Sequence, residues 1–175
     1  MESEKEYVVL VDENDREVGV EEKMKAHVDA KLHRAFSIFV FNEKNELLLQ
    51  QRAKSKYHCA GMWANTCCSH PRPKETYEQA IHRRLVEEMG FDCDLENLFC
   101  FTYKETFDNG LTEHEYDCVF TGKISSSTKI KPNHEEVENY KWILPKDLEK
   151  DIKKNPKKYT VWLKIASEKL TRLKK

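Results

Sequence analysis

The run R-A-F-S-I-F-V-F-N, Arg34–Asn42, restricts the possible folds more than any other stretch of the chain. A strand with one wet face alternates apolar and polar residues. This run is nearly all apolar, so it predicts a strand covered on both faces. Such a strand needs a layer above it and a layer below it. The turn N-E-K-N-E follows, and Leu47–Arg52 resumes as a second strand. The two together read as a hairpin.

The remaining elements supply candidate layers. Tyr7–Val11 is a short strand ahead of the turn D-E-N-D. Thr76–Met89 reads as a helix. Thr76 and Gln79 form a capping box, and Tyr77, Ala80, Ile81, Leu85 and Met89 recur at helical spacing. Gly90 stands where a left-handed C-cap belongs. Phe99–Thr106 and Glu113–Ile124 read as strands around D-N-G, and Val137–Leu144 as another. Pro145 opens a helix through D-L-E-K-D-I, Pro156 interrupts it, and Val161–Leu173 is a final amphipathic helix. Tyr57–Pro73 reads as irregular. This order predicts an α+β fold or a three-layer α/β/α sandwich with a mixed sheet between helices. No repeat or linker divides the chain, so residues 1–175 are expected to form one domain.

Charge narrows the partners. Lys and Arg number 30 against 31 Asp and Glu, which gives no general attraction to nucleic acid or to a membrane surface. No apolar run reaches the length of a membrane span. The acidic opening M-E-S-E-K-E is unlike an export signal, so a cytoplasmic location is expected. Six cysteines are an even number. Yet Cys67 and Cys68 are adjacent, and the chain has core residues enough without staples. Reduced thiols are therefore expected. A special cysteine is then special for reactivity or for metal.

The chemistry concentrates in a few places. Arg84 and Glu88 lie four apart on one side of the predicted helix, and Glu87 falls on the Arg83 side, as ordinary surface ion pairs also do. Glu113 and Glu115 are two apart on a strand and point the same way. His27 and His33 are six apart and need a bend to converge. Three imidazoles, with His70, and two carboxylates could hold one divalent metal. In N-T-C-C-S-H-P, Cys68 shares a side with His70 if the segment is extended. A zinc site from Cys67, Cys68 and His70 lacks the usual C-x₂-C spacing.

Glu75 with R-R-L-V-E-E-M-G-F resembles a Nudix box. Two positions depart from that pattern: Ser69 stands for its first Gly, and Arg84 for a metal-holding Glu. Those departures, with L-H-R-A-F-S-I-F-V-F, W-A-N-T-C-C-S-H-P and Y-K-E-T-F-D-N-G-L-T-E-H-E-Y-D-C-V-F, resemble the type 1 isopentenyl-diphosphate Δ-isomerases. The likeness extends over most of the chain.

The resemblance implies a prenyl diphosphate substrate and a 1,3-proton shift through a tertiary carbocation. It implies Cys68 and Glu115 as the acid–base pair, with Tyr103 as a proton relay. It also implies one Mg²⁺, Mn²⁺ or Zn²⁺ held by His27, His33, His70, Glu113 and Glu115. A second Mg²⁺ would arrive with the diphosphate and take Glu88 as ligand. The basic clamp would be Lys23, Arg52, Lys56 and Arg84. Trp162 would stabilise the cation, so the last helix, about residues 159–173, would pack on the site. Cys67 would pack inward as a small apolar residue, and Cys59, Cys93, Cys100 and Cys118 show no partner pattern. A monomer or weak dimer is expected. The rival expectations are a Nudix diphosphohydrolase acting on a nucleoside diphosphate derivative, and a non-enzymatic metal-binding module.

Overall fold

A computed structural model describes residues 5–173. Most of the acidic opening segment lies outside that range. In chain order the strands are β1 Tyr7–Val11, β2 Glu17–Glu22, β3 His33–Phe41, β4 Leu47–Arg52, β5 Trp63–Ala64, β6 Cys67–Ser69, β7 Leu95–Thr106, β8 Thr112–Lys123 and β9 Val137–Ile143. The helices are α1 Lys23–Val28, α2 Tyr77–Met89, α3 Pro145–Lys154 and α4 Val161–Leu173.

The β3 strand is the hub of a mixed sheet. One edge runs parallel to β8, from His33 opposite Glu115 to Phe41 opposite Lys123. The other edge pairs antiparallel with β6, where Ser37 faces Cys68 and Ile38 faces Cys67. Both faces of β3 are covered, as its composition predicts. Phe36, Ile38 and Val40 join Ala80, Ile81, Leu85 and Met89 of α2 in one core. Phe39 joins Leu148 of α3 and Trp162, Leu163, Ala166 and Leu170 of α4 in the other. Each fully buried Leu, Ile or Phe contributes about 1.5–3 kcal/mol. The result is an α/β/α sandwich.

The expected hairpin is corrected. The β3 and β4 strands share one pair, Phe41 with Leu47, and then part. Asn65 and Thr66 enter the gap between them. The Thr66 Oγ1 accepts from the Val40 amide at 2.9 Å and donates to the Leu48 carbonyl at 2.7 Å. One side chain thus satisfies backbone groups that a ladder would otherwise pair. The β4 strand turns instead to β5 and β9.

Helix α2 has the predicted caps. Thr76 and Gln79 form the reciprocal box, and Gly90 adopts φ 71°. The α1 helix and β2 were not predicted, and β7 begins at Leu95, earlier than expected. The expectation that all cysteines are unpaired is also corrected. Cys100 and Cys118 face each other across β7 and β8 and are disulfide-bonded. Their relation is one of strand register, which spacing along the chain does not reveal. Cys59, Cys67, Cys68 and Cys93 are free thiols. Among the described residues no helix is long and apolar enough to cross a membrane.

Candidate metal and active centre

His27 lies in the last turn of α1, and His33 opens β3. The bend between them places Ala30 at φ 53°, and the Lys31 amide bonds back to the Ala26 carbonyl at 2.9 Å. This turn brings the two rings to a centroid distance of 4.9 Å. His70, just past β6, stands 5.0 Å from the His33 ring. Glu113 and Glu115 come from alternate positions of β8 and point into the same space.

Backbone contacts orient the imidazoles. His27 Nδ1 donates to the Lys23 carbonyl at 2.6 Å, and His33 Nδ1 donates to the Lys31 carbonyl at 2.8 Å. A neutral ring that donates through Nδ1 presents a bare lone pair at Nε2. Both Nε2 atoms face Glu113 Oε2, at 3.1 and 3.8 Å. All three atoms are buried and have no hydrogen-bond partner among the described residues. Lone pairs aimed at a carboxylate oxygen repel unless a cation joins them. The donor set therefore fits a metal ion. The structure brings His27, His33, His70 and Glu113 close enough together to bind one.

Glu115 stands slightly apart from that group. Its Oε1 meets His70 Nε2 at 2.9 Å and lies 3.8 Å from His33 Nε2. Its Oε2 accepts from the Tyr103 hydroxyl at 2.7 Å. Cys68 and Glu115 line the same cavity, and Cys68 shares the His70 side of β6. Cys67 points the other way into the α2 core, so no Cys67–Cys68–His70 grouping forms.

Burial sets the protonation states. It raises the Cys68 thiol well above its ordinary range and keeps it neutral, although Arg52 works against this. Burial also raises Glu115, and the neighbouring charges of Glu113 and Asp117 add to it. Burial alone would raise Glu113 too, but His27 and His58 outweigh it and Glu113 stays ionised. His33 is lowered to about 4, chiefly by burial.

The predicted clamp residues line the cavity. Lys23 Nζ meets Glu6 at 2.7 Å, and Lys56 pairs with Glu136. Arg84 contacts Glu87 at 2.9 Å, Glu136 at 3.4 Å and also Glu88. Arg52 is buried, with its guanidinium 5.3 Å from the Trp162 ring centre. Trp162 brings α4 to the cavity wall.

Several neighbours escaped sequence reasoning. Gln50 donates to Glu88 Oε2 at 2.8 Å and fixes that carboxylate from β4. Asp117 is buried beyond Glu115, where its Oδ2 accepts from Ser37 at 2.8 Å. Glu136 braces two of the clamp cations. His58, from the segment read as irregular, hydrogen-bonds Glu113. Only the alternation of Glu113, Glu115 and Asp117 on one strand offered a signal in advance.

A NUDIX domain model matches residues 31–163. The chain is 50% identical over 159 residues to isopentenyl-diphosphate Delta-isomerase 2 of Photorhabdus laumondii, covering 91% of this chain and 89% of that one. It is 49% identical over 156 residues to isopentenyl-diphosphate Delta-isomerase 2 of Aromatoleum aromaticum, covering 89% of this chain and 82% of that protein. Among solved structures, DR0079 from Deinococcus radiodurans superposes with a TM-score of 0.70 at 21% identity, covering 86% of this chain and 90% of that one. This last likeness concerns the fold alone.

Proposed function

The chain belongs to the Nudix family and, within it, to the isopentenyl-diphosphate Delta-isomerases; from that premise we propose that it interconverts isopentenyl diphosphate and dimethylallyl diphosphate. The observation that carries this reading is the meeting of Cys68 and Glu115 in one cavity beside the His27–His33–His70–Glu113 group.

The alkene is a weak base, so its protonation needs a positioned acid and a site closed to water. A proton is added at the terminal CH₂ carbon, and the charge develops on the tertiary carbon. A proton then leaves the allylic carbon, and the double bond forms there. Cys68 and Glu115 are the two groups that exchange these protons. Tyr103, hydrogen-bonded to Glu115, carries a proton to or from that carboxyl. Trp162 offers its ring face to the cation. A divalent ion held by His27, His33, His70, Glu113 and Glu115 would fix Glu115 in place and draw it towards the carboxylate.

Arg52, Arg84, Lys23 and Lys56 bind the diphosphate, with guanidinium forks suited to its oxygens. Glu88, braced by Gln50 and Arg84, is the expected ligand of a second Mg²⁺ that enters with substrate. Mg²⁺, Mn²⁺ and Zn²⁺ are the candidates for the first ion. The hydrolase alternative is disfavoured by Arg84, which puts a cation where that chemistry wants a metal-holding carboxylate.

The protein is proposed to act as one domain, a monomer or weak dimer, in the cytoplasm and without nucleic acid or membrane. Cytoplasmic thiols are mostly reduced, so the Cys100–Cys118 pair is the readout of location. Thiol counting on protein quenched with acid at lysis tests that location. The activity is tested by incubating purified protein with isopentenyl diphosphate and Mg²⁺. Dimethylallyl diphosphate is the expected product. Orthophosphate or nucleoside monophosphate release from nucleotides, with no prenyl isomerisation, would favour the hydrolase instead.

A further inference from the structure

A carboxylate ligand has two equivalent oxygens, and its terminal torsion is soft. Something must decide which oxygen faces the metal. At Glu113 the two oxygens have different surroundings. Oε2 faces the Nε2 atoms of His27 and His33 and has no hydrogen-bond partner among the described residues. Oε1 is bonded to Nε2 of His58. His58 is not one of the four residues whose ligand atoms lie within 4.8 Å of one another.

We propose that His58 is a positioning residue for the metal centre, holding Glu113 so that Oε2 alone is presented to the ion. The inference rests on the metal site proposed above and adds a residue to it.

The placement of His58 is itself built. Its ring stacks on Phe107 with centroids 5.0 Å apart and an interplanar angle of 28°. Its edge meets Trp162 at 5.8 Å. Its carbonyl accepts from Arg52 at 3.2 Å. Asn109, from the turn between β7 and β8, donates to the Tyr57 carbonyl at 3.1 Å and pins the segment from outside. His58 is therefore buried and held on several sides, with its Nε2 aimed at one oxygen. A partner of this kind keeps a ligand in its binding orientation before the ion arrives. Loss of such a partner typically weakens metal affinity by about 10–100-fold.

The test is metal affinity, not turnover. Co²⁺ binding is measured by competition with a chromophoric chelator for the wild type, His58→Gln and His58→Phe. Circular dichroism checks that each is folded. His58→Phe is expected to bind about 10–100-fold more weakly. His58→Gln keeps an N–H donor and is expected to recover most of that loss. The Co²⁺ absorption bands are expected to be unchanged in His58→Gln, because the ligand set is unchanged. Should the phenylalanine ring not pack, His58→Ala carries the same comparison. Wild-type affinity in the variant lacking the donor would overturn the inference. So would altered Co²⁺ bands together with no recovery in His58→Gln, since His58 would then be a ligand itself. A wild type that binds no Co²⁺ would overturn the metal site as well, which separates the two failures.

Discussion

Cys67 and Cys68 are neighbours on β6 and belong to different halves of the molecule. Cys67 faces the α2 core, and Cys68 faces the cavity, because successive side chains of a strand point to opposite faces. Cys68→Ala should abolish proton exchange at the allylic carbon while bound metal stays stoichiometric, read by deuterium incorporation and metal analysis. Cys67→Ala should lower stability by roughly 1–2 kcal/mol in a denaturant melt and leave turnover nearly intact. The opposite pattern would put the wrong cysteine at the substrate. Arg84→Glu would set a further carboxylate among Glu87, Glu88 and Glu136. The KM for isopentenyl diphosphate should rise about tenfold or more, since a hydrogen bond to a charged group contributes about 1.5–3 kcal/mol. An unchanged KM would reduce Arg84 to a surface residue.

Asp117 gives a dependence on pH. Burial raises its carboxyl to about 7, against an ordinary value of 3.8 and despite the bond from Ser37. Between those values the folded state holds a proton that the unfolded chain has released. Stability therefore falls as pH rises through this window. Asp117→Asn removes the ionisation, so the metal-free variant should gain on the wild type between pH 4 and pH 8, by at most on the order of 4 kcal/mol. Melting temperatures at both pH values check the sign, and parallel curves would show that Asp117 does not titrate there. At this scale the parity of Cys67 and Cys68 and the shared face of Glu113 and Glu115 were legible, because alternation is local. The proposed metal ligands were assembled only through family likeness. His58 and the Cys100–Cys118 pair were not, since each partner is fixed by register between distant segments.

Helix α2 was legible in full because its signals all lie within its own residues. Thr76, Gln79 and Gly90 mark its ends, and its apolar stripe faces the sheet. Gly90→Ala tests the C-terminal signal. The left-handed backbone disfavours a side chain by about 1–2 kcal/mol. A Cβ there would also collide with the Lys131 carbonyl oxygen, which is backbone and cannot swing aside. The loss should exceed the backbone cost alone, measured by urea unfolding. No loss would mean that the 131 loop moves freely. The β2 strand escaped prediction because Val18 and Val20 are exposed among glutamates, so it has no buried face to leave a pattern. The α1 helix is six residues long, too short for a periodic signal. The false hairpin has a different origin. A turn between two apolar runs usually joins neighbours, but Asn65 and Thr66, far along the chain, compete for the same backbone groups and part the strands.

For the molecule as a whole, one segment foretold the layers. The doubly buried β3 required helices on both sides, and α2 on one side with α3 and α4 on the other supply them. The strand order was not foretold, because pairing is chosen between segments and not within them. A fragment ending at Leu111 lacks β8 and leaves one edge of β3 bare. It should aggregate on purification, and a soluble monomer by gel filtration would contradict that view of β3. The parallel pairing of β3 with β8 also has a consequence on the ribosome. The Thr121 side chain bonds the Phe39 carbonyl across 82 positions of sequence. At about 5–20 residues per second, β3 waits roughly 4–16 s for the strand that closes its edge. This apolar segment is thus made well before the strand that protects its edge. Its yield in a cell should therefore depend on translation speed and chaperone supply more steeply than on the stability of the finished fold.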